Sequence, residues 1–192
     1  MVEFITVSIV PAEEASRRLR ADHDVLLTEV NELAGEQLAA TYHLASGPLG
    51  DFCASLHDLV AHVLMWDEIN LAVLTEAAAG RVHWSLDPRW ETPEAGQLLN
   101  RSGVEAGRLL PASLLLHRLR AARDAVLGEL GRYEGPAWTD AGQIPSLARG
   151  IGGLAQKVWT VPGQPAFWHA AIHLNHLPPA SLWARPESAP RS

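Results

Sequence analysis

The stretch WHAAIHLNHL, from Trp168 to Leu177, holds three of the nine histidines in this chain. In a helix, His169, His173 and His176 fall at i, i+4 and i+7 and share one face. A buried imidazole has two ring nitrogens that need partners, so such a stripe on an apolar helix is costly unless something binds there. A metal ion would answer that need. A pair at i, i+4 supplies two ligands, and the third has to come from another helix. His62 suits this role, on a stripe with Leu59, Val63 and Trp66, whereas His57 faces elsewhere. Three neutral imidazoles fit zinc, nickel or iron(II), and three protein ligands leave a position open for water or a thiolate. Either would be a nucleophile toward an electrophilic small molecule. The spacing alone leaves open the simpler reading, in which these are core histidines bonded to carbonyls.

Other residues could serve such a site. Trp66, four residues after His62, and Trp168, beside His169, are candidate walls of an apolar substrate pocket, and His176 is counted with them, either behind the ligands or facing solvent near the helix end. Trp90, with Trp84 in the same loop, is the candidate lid. Glu68 is the candidate catalytic acid or base, weighed against the commoner reading as a solvated group; the direction of Glu68 and its neighbour Asp67 depends on the helix phase. Cys53 precedes a helix N-terminus, where the dipole can lower a thiol pKa, and it is weighed as a nucleophile against simple packing. His23, His43, His57, His83 and His117 carry no pairing signal and are read as surface or loop residues.

The elements that must position these groups are helical. Leu19, Leu26, Val30 and Leu33 form the stripe of a first amphipathic helix running from about Pro11 to Leu38. After the breaker-rich ASGPLGD, Ser55 with Asp58 three residues on resembles a capping box opening a second helix, which Gly80 closes. An irregular segment from Gly80 to Trp90 follows. Thr92 as N-cap and Pro93 at the first position start a helix to about Arg108, which Pro111 breaks. A long third bundle helix then buries Leu115, Leu119, Ala122, Val126 and Leu130, with Arg118, Arg120, Arg123 and Glu129 expected on its outside. The glycines of PSLARGIGGLAQKVWT weaken the next helical stretch, and AFWHAAIHLNHL forms the last helix before Pro178-Pro179. The expected fold is all-α, an up-and-down four-helix bundle with a long crossover segment, over residues 1–180 as one domain. Residues 181–192 are expected to be a disordered tail, and the first ten to be a short strand or an arm.

Composition narrows the partners. At 47% hydrophobic residues the 192-residue chain can close one sizeable core. A net charge of −7 without a basic run longer than Arg17-Arg18 argues for no nucleic acid and no membrane surface as partner. The single Cys53 and the absence of a signal-peptide pattern in MVEFITVSIV favour a reducing, cytoplasmic setting.

A family resemblance enters with SLHDLVAHVLMWDE, which resembles the opening of the second helix in the DinB/YfiT-like superfamily, and with WHAAIHLNHL, which is similar to that superfamily's H-x-x-x-H. ETPEAGQLLNR, with Leu99-Asn100, and the following ASLLLHRLRAARDAVLGEL resemble the ClbS/DfsB branch. The similarity runs patchily over about residues 15 to 177. It implies a four-helix bundle, often a homodimer, with His62, His169 and His173 matching the superfamily's metal triad. Members include thiol-dependent enzymes using mycothiol or bacillithiol, and the ClbS branch includes a protective hydrolase that opens an electrophilic cyclopropane. The implied function is metal-dependent thiol transfer or hydrolysis on an electrophilic small molecule, in secondary metabolism or detoxification. The alternative is a non-catalytic, sequestering self-resistance protein on the same bundle. No counterpart of the thiol enzymes' substrate-binding arginines or of their extra domain is found here.

Overall fold

The computed structural model describes residues 8–31, 33, 35–41, 52–140 and 150–175, and the expectations for His43, for His176, for the first seven residues and for the C-terminal tail lie outside them. The described elements are helical throughout: α1 (Ala12–Val30), α2 (Gly35–Ala39), α3 (Leu56–Ala78), α4 (Pro93–Arg108), α5 (Ala112–Leu130), α6 (Pro136–Thr139), α7 (Ile151–Val158) and α8 (His169–Leu174). This is the all-α bundle expected from the periodicity. Its centre is α3, which packs against α4, α5, α7 and α8, while α1 closes the other side against α5 and α8. Residues are buried around most of the circumference of α3, as a central helix requires.

Local chemistry sets the boundaries. The Ser55 hydroxyl accepts from the Asp58 N–H at 3.1 Å, and the Asp58 carboxylate reaches back to the Ala54 N–H at 2.8 Å. That reciprocal cap starts α3, and Gly80, at φ 71°, lets the chain turn after it. Thr92 caps α4 through the Ala95 N–H. Between them, two short 3-10 turns (Trp84–Leu86 and Pro88–Trp90) are capped by His83 and Asp87. On α4, Gly103 and Gly107 admit α3 closely: a Cβ on Gly107 would lie 2.2 Å from that of Ala61, and one on Gly103 would overlap the Met65 side chain.

Three expectations are corrected. The first helix is not continuous to Leu38 but stops at Val30 and resumes as the five-residue α2, with the weak helix formers Asn31 and Gly35 at the two sides of the break. The last helix starts only at His169, since Phe167 sits at φ 68°, outside the right-handed helical region. On α5, Arg123 and Glu129 are buried rather than outward-facing. The reason for Arg123 lies in the core, which forms two apolar clusters. One gathers Leu26, Val30, Leu59, Leu64, Leu115 and Leu119, and the other Leu19, Val73, Leu74, Val126, Leu154 and Phe167. At the level where α1, α3 and α5 pass from one cluster to the other stand Asp22, Asp67 and Arg123, each fully buried. No helix among the described residues is long and apolar enough to cross a membrane.

Candidate metal centre

α3 delivers His62 from its second turn, and α8 delivers His169 and His173 from successive turns of one face. All three are buried. Their Nε2 atoms converge: His62 Nε2 lies 3.1 Å from that of His169 and 3.2 Å from that of His173. For nitrogens bound tetrahedrally at the zinc distance, the N···N separation is about 3.3 Å, so both distances from His62 match it to roughly 0.2 Å, and the three donors, all within 4.8 Å of one another, are close enough to hold a metal ion. His62 Nδ1 is buried without a hydrogen-bond partner among the described residues.

The protonation state suits the same role. Burial pushes the His62 pKa down to about 3, with His173 adding to the effect, and burial chiefly, then the two neighbouring imidazoles and Arg123, holds His169 well below the usual histidine range. Both are neutral at pH 7. Above about pH 6.5 folded and unfolded chains alike carry these groups uncharged; below it the unfolded chain takes up protons that the folded chain does not. Each group therefore removes about 1.4 kcal/mol of stability per pH unit of acidification below 6.5. In EDTA, the melting temperature is expected to fall between pH 6.5 and 5, and less steeply in His62→Asn; parallel curves for the two proteins would contradict this.

A cavity of roughly 270 Å³ opens in front of the three imidazoles. Phe52, Trp66, Trp159, Val158, Val161 and Pro162 supply its apolar walls, and Asn70, Asn100 and Thr160 its polar groups. Trp66 donates from Nε1 to Asn100 Oδ1 at 2.8 Å, which leaves the Asn100 amide NH2 as the group it can offer a ligand. Asn70 is anchored by donating to the Val158 carbonyl at 3.1 Å.

Of the residues singled out in the sequence, His62, His169, His173 and Trp66 are thus brought together around this cavity. Trp168 is half-buried at the N-cap of α8 and is not among the lining residues. Trp90 is exposed and stacks edge-on against Trp84, with ring centroids 5.8 Å apart. Arg118 donates from Nη2 to both carboxylate oxygens of Glu68, at 2.7 and 2.9 Å, with both side chains 42% exposed. Cys53 is buried, and burial pushes its thiol up to about 12, the reverse of the activation considered from its place before a helix. His23, on α1, is buried rather than in a loop or at the surface, and His83 lies in the irregular segment, as expected, but is buried there.

Sequence reasoning passed over Trp159, Asn70, Asp22 and Arg123. Arg123 donates to Asp22 Oδ2 at 3.0 Å, to the Leu19 carbonyl at 3.2 Å and from Nε to Asp67. Burial works against the Arg123 charge, and the two carboxylates outweigh it; burial likewise raises the Asp67 pKa while Arg123 opposes the rise. Trp159 adds a donor to Asp67 at 3.4 Å. Asp22 also accepts from the backbone N–H groups of Ala170 and Ala171, at 3.2 and 2.8 Å.

Comparison with known proteins defines a class by fold. No family model matches the chain, and no curated protein matches it. Solved structures do. An uncharacterised protein from Escherichia coli UTI89 superposes with a TM-score of 0.67 at 13% identity, covering 94% of this chain and 95% of that one. The colibactin self-resistance protein ClbS, in complex with double-stranded DNA, superposes with a TM-score of 0.58 at 15% identity, covering 85% of this chain and 93% of that one. The chain therefore has a ClbS-like helical fold, while the wider superfamily resemblance rests on the sequence motifs. One expectation falls with this finding. Net acidity does not exclude nucleic acid as a partner, because a protein of this fold, ClbS, is in complex with DNA. Net charge sums over a whole surface, whereas contact with DNA depends on a local patch.

Proposed function

We propose that this chain is a protective protein of the ClbS-like fold that takes a small molecule into the cavity before His62, His169 and His173, with a divalent metal held on those three residues. The observation that carries the reading is the meeting of a converged, buried imidazole triad with an aromatic-walled cavity. The role of the ClbS neighbour in self-resistance supports capture as the primary activity. The ligand class follows from the walls. Trp66, Trp159 and Phe52 offer ring surface, Asn100 offers a neutral donor, and the described lining includes no acidic side chain, lysine or arginine. Such a cavity favours an uncharged, partly planar molecule carrying a hydrogen-bond acceptor.

A second reading, hydrolysis or thiol transfer on the captured molecule, is favoured by the coordination position that three protein ligands leave open. A divalent ion there would supply Lewis acidity and a nucleophile at neutral pH. The chain's own contribution is to orient the ligand through Asn100 and to restrict water with the apolar walls.

The readings separate in one experiment. Protein purified without an affinity tag is incubated with electrophilic small molecules, with and without low-molecular-weight thiols, and analysed by mass spectrometry. Stoichiometric retention without product supports capture, and more than one product per protein molecule moves the assignment to catalysis. A parallel titration with a short DNA duplex completes the test, since saturable, salt-sensitive binding in place of small-molecule retention would redirect the reading to nucleic acid.

A further inference from the structure

We infer that Asp22 is a positioning residue for the metal centre: its carboxylate clamps the start of α8 and fixes the register of His169 and His173 against His62. The inference rests on the metal reading above. α8 has six residues, no side-chain cap of its own, and the left-handed Phe167 two residues before it. A helix that short does not hold its own orientation in water. Asp22, from α1, supplies what is missing by accepting from two successive N–H groups, those of Ala170 and Ala171, one with each oxygen. These follow directly after the ligand His169.

The other end of the clamp reaches the helix carrying the third ligand. Asp22 is held by Arg123, Arg123 by Asp67, and Asp67 lies five residues after His62 on α3. A closed path of buried, charge-assisted bonds thus ties α8 to α3 through α1 and α5. Its geometric consequence is large. Rotating α8 by about 20° would carry an atom on its outer radius of roughly 5 Å through roughly 2 Å, against a tolerance of roughly 0.2 Å for a metal ligand. Asp22 touches neither the imidazoles' Nε2 atoms nor the cavity, so its effect passes through the backbone of α8.

Cobalt(II) titration followed by visible absorption tests this on the full chain. Asp22→Ala is expected to weaken cobalt binding by about 10- to 100-fold, as loss of a supporting group around ligands does, with an altered spectrum at saturation. Asp22→Asn, which keeps one acceptor for the α8 N–H groups, is expected to recover much of this and to lose only about three- to tenfold. A merely structural role would lower the melting temperature of both variants while leaving affinity and spectrum at the wild-type values, and that result overturns the inference. Should Asp22→Ala fail to fold, Asp22→Asn decides: a loss of at least about threefold supports the clamp, and unchanged binding overturns it. Wild-type protein that gives no cobalt signal overturns the metal reading and this inference together, whereas normal binding by both variants overturns this inference alone.

Discussion

Replacing Arg123 with methionine is expected to lower the melting temperature at pH 7 by roughly 10 °C, the shift corresponding to about 3–5 kcal/mol in a chain of this size. The cost comes from what is left behind. Asp22 and Asp67 are both fully buried, and without the guanidinium two carboxylates would face each other across an apolar interior. One would take up a proton, and Asp67, which burial already pushes upward, is the group expected to do so. The Leu19 carbonyl would lose the guanidinium as a donor as well. Methionine keeps much of the aliphatic volume, so the measured loss reports the charge network rather than a cavity. Circular dichroism melting of the two proteins checks the expectation, and a difference within about 2 °C would show that the buried charges contribute little.

Saturating zinc is expected to raise the melting temperature by roughly 5–10 °C when free metal exceeds Kd a hundredfold, the equivalent of about 2.7 kcal/mol. The sign is secure for any ligand that prefers the folded chain, and the preference here is structural. His62 and His169 are separated by 107 positions and meet only when α3 and α8 are docked. Their imidazoles are already neutral at pH 7, so binding releases few protons from the folded chain. His62→Ala is expected to abolish the shift by removing the ligand that joins the two helices, whereas Glu68→Gln, altered at a half-exposed pair with Arg118, is expected to keep it. Differential scanning fluorimetry of the three proteins in EDTA and in zinc makes the comparison. An equal zinc shift in wild type and His62→Ala would place the metal elsewhere.

What was legible beforehand follows a physical division. Local signals were readable: Ser55 with Asp58, Thr92 with Pro93, and Pro111 each mark a boundary that needs nothing beyond a few neighbouring residues. The i, i+4 spacing of His169 and His173 was readable for the same reason, and His62 followed from its place on an apolar stripe. Arg123 was not. It sits beside Arg118 and Arg120 in the chain, and composition gives no hint that one arginine turns inward while its neighbours meet Glu68 and Asn31. Its burial makes sense only with Asp22 and Asp67 in view, 101 and 56 positions away. The cavity shows the same limit. Trp159 and Asn100 become its walls through the packing of α7 and α4 on α3, while Trp90, chosen for its place in a loop, found a partner in Trp84 instead.

Two of the three imidazoles ride on a six-residue helix held in place largely from outside. Its detachment would be a local opening, expected at a free energy below that of global unfolding, and it would dismantle the donor set and open the cavity in one event. On the proposed function, ligand residence would then be capped by how often α8 breathes. The amides of Ala170 and Ala171, which donate to Asp22, would record that breathing in their hydrogen-exchange rates, so on the proposed function the lifetime of a captured molecule and the protection of two backbone protons would be readings of a single equilibrium.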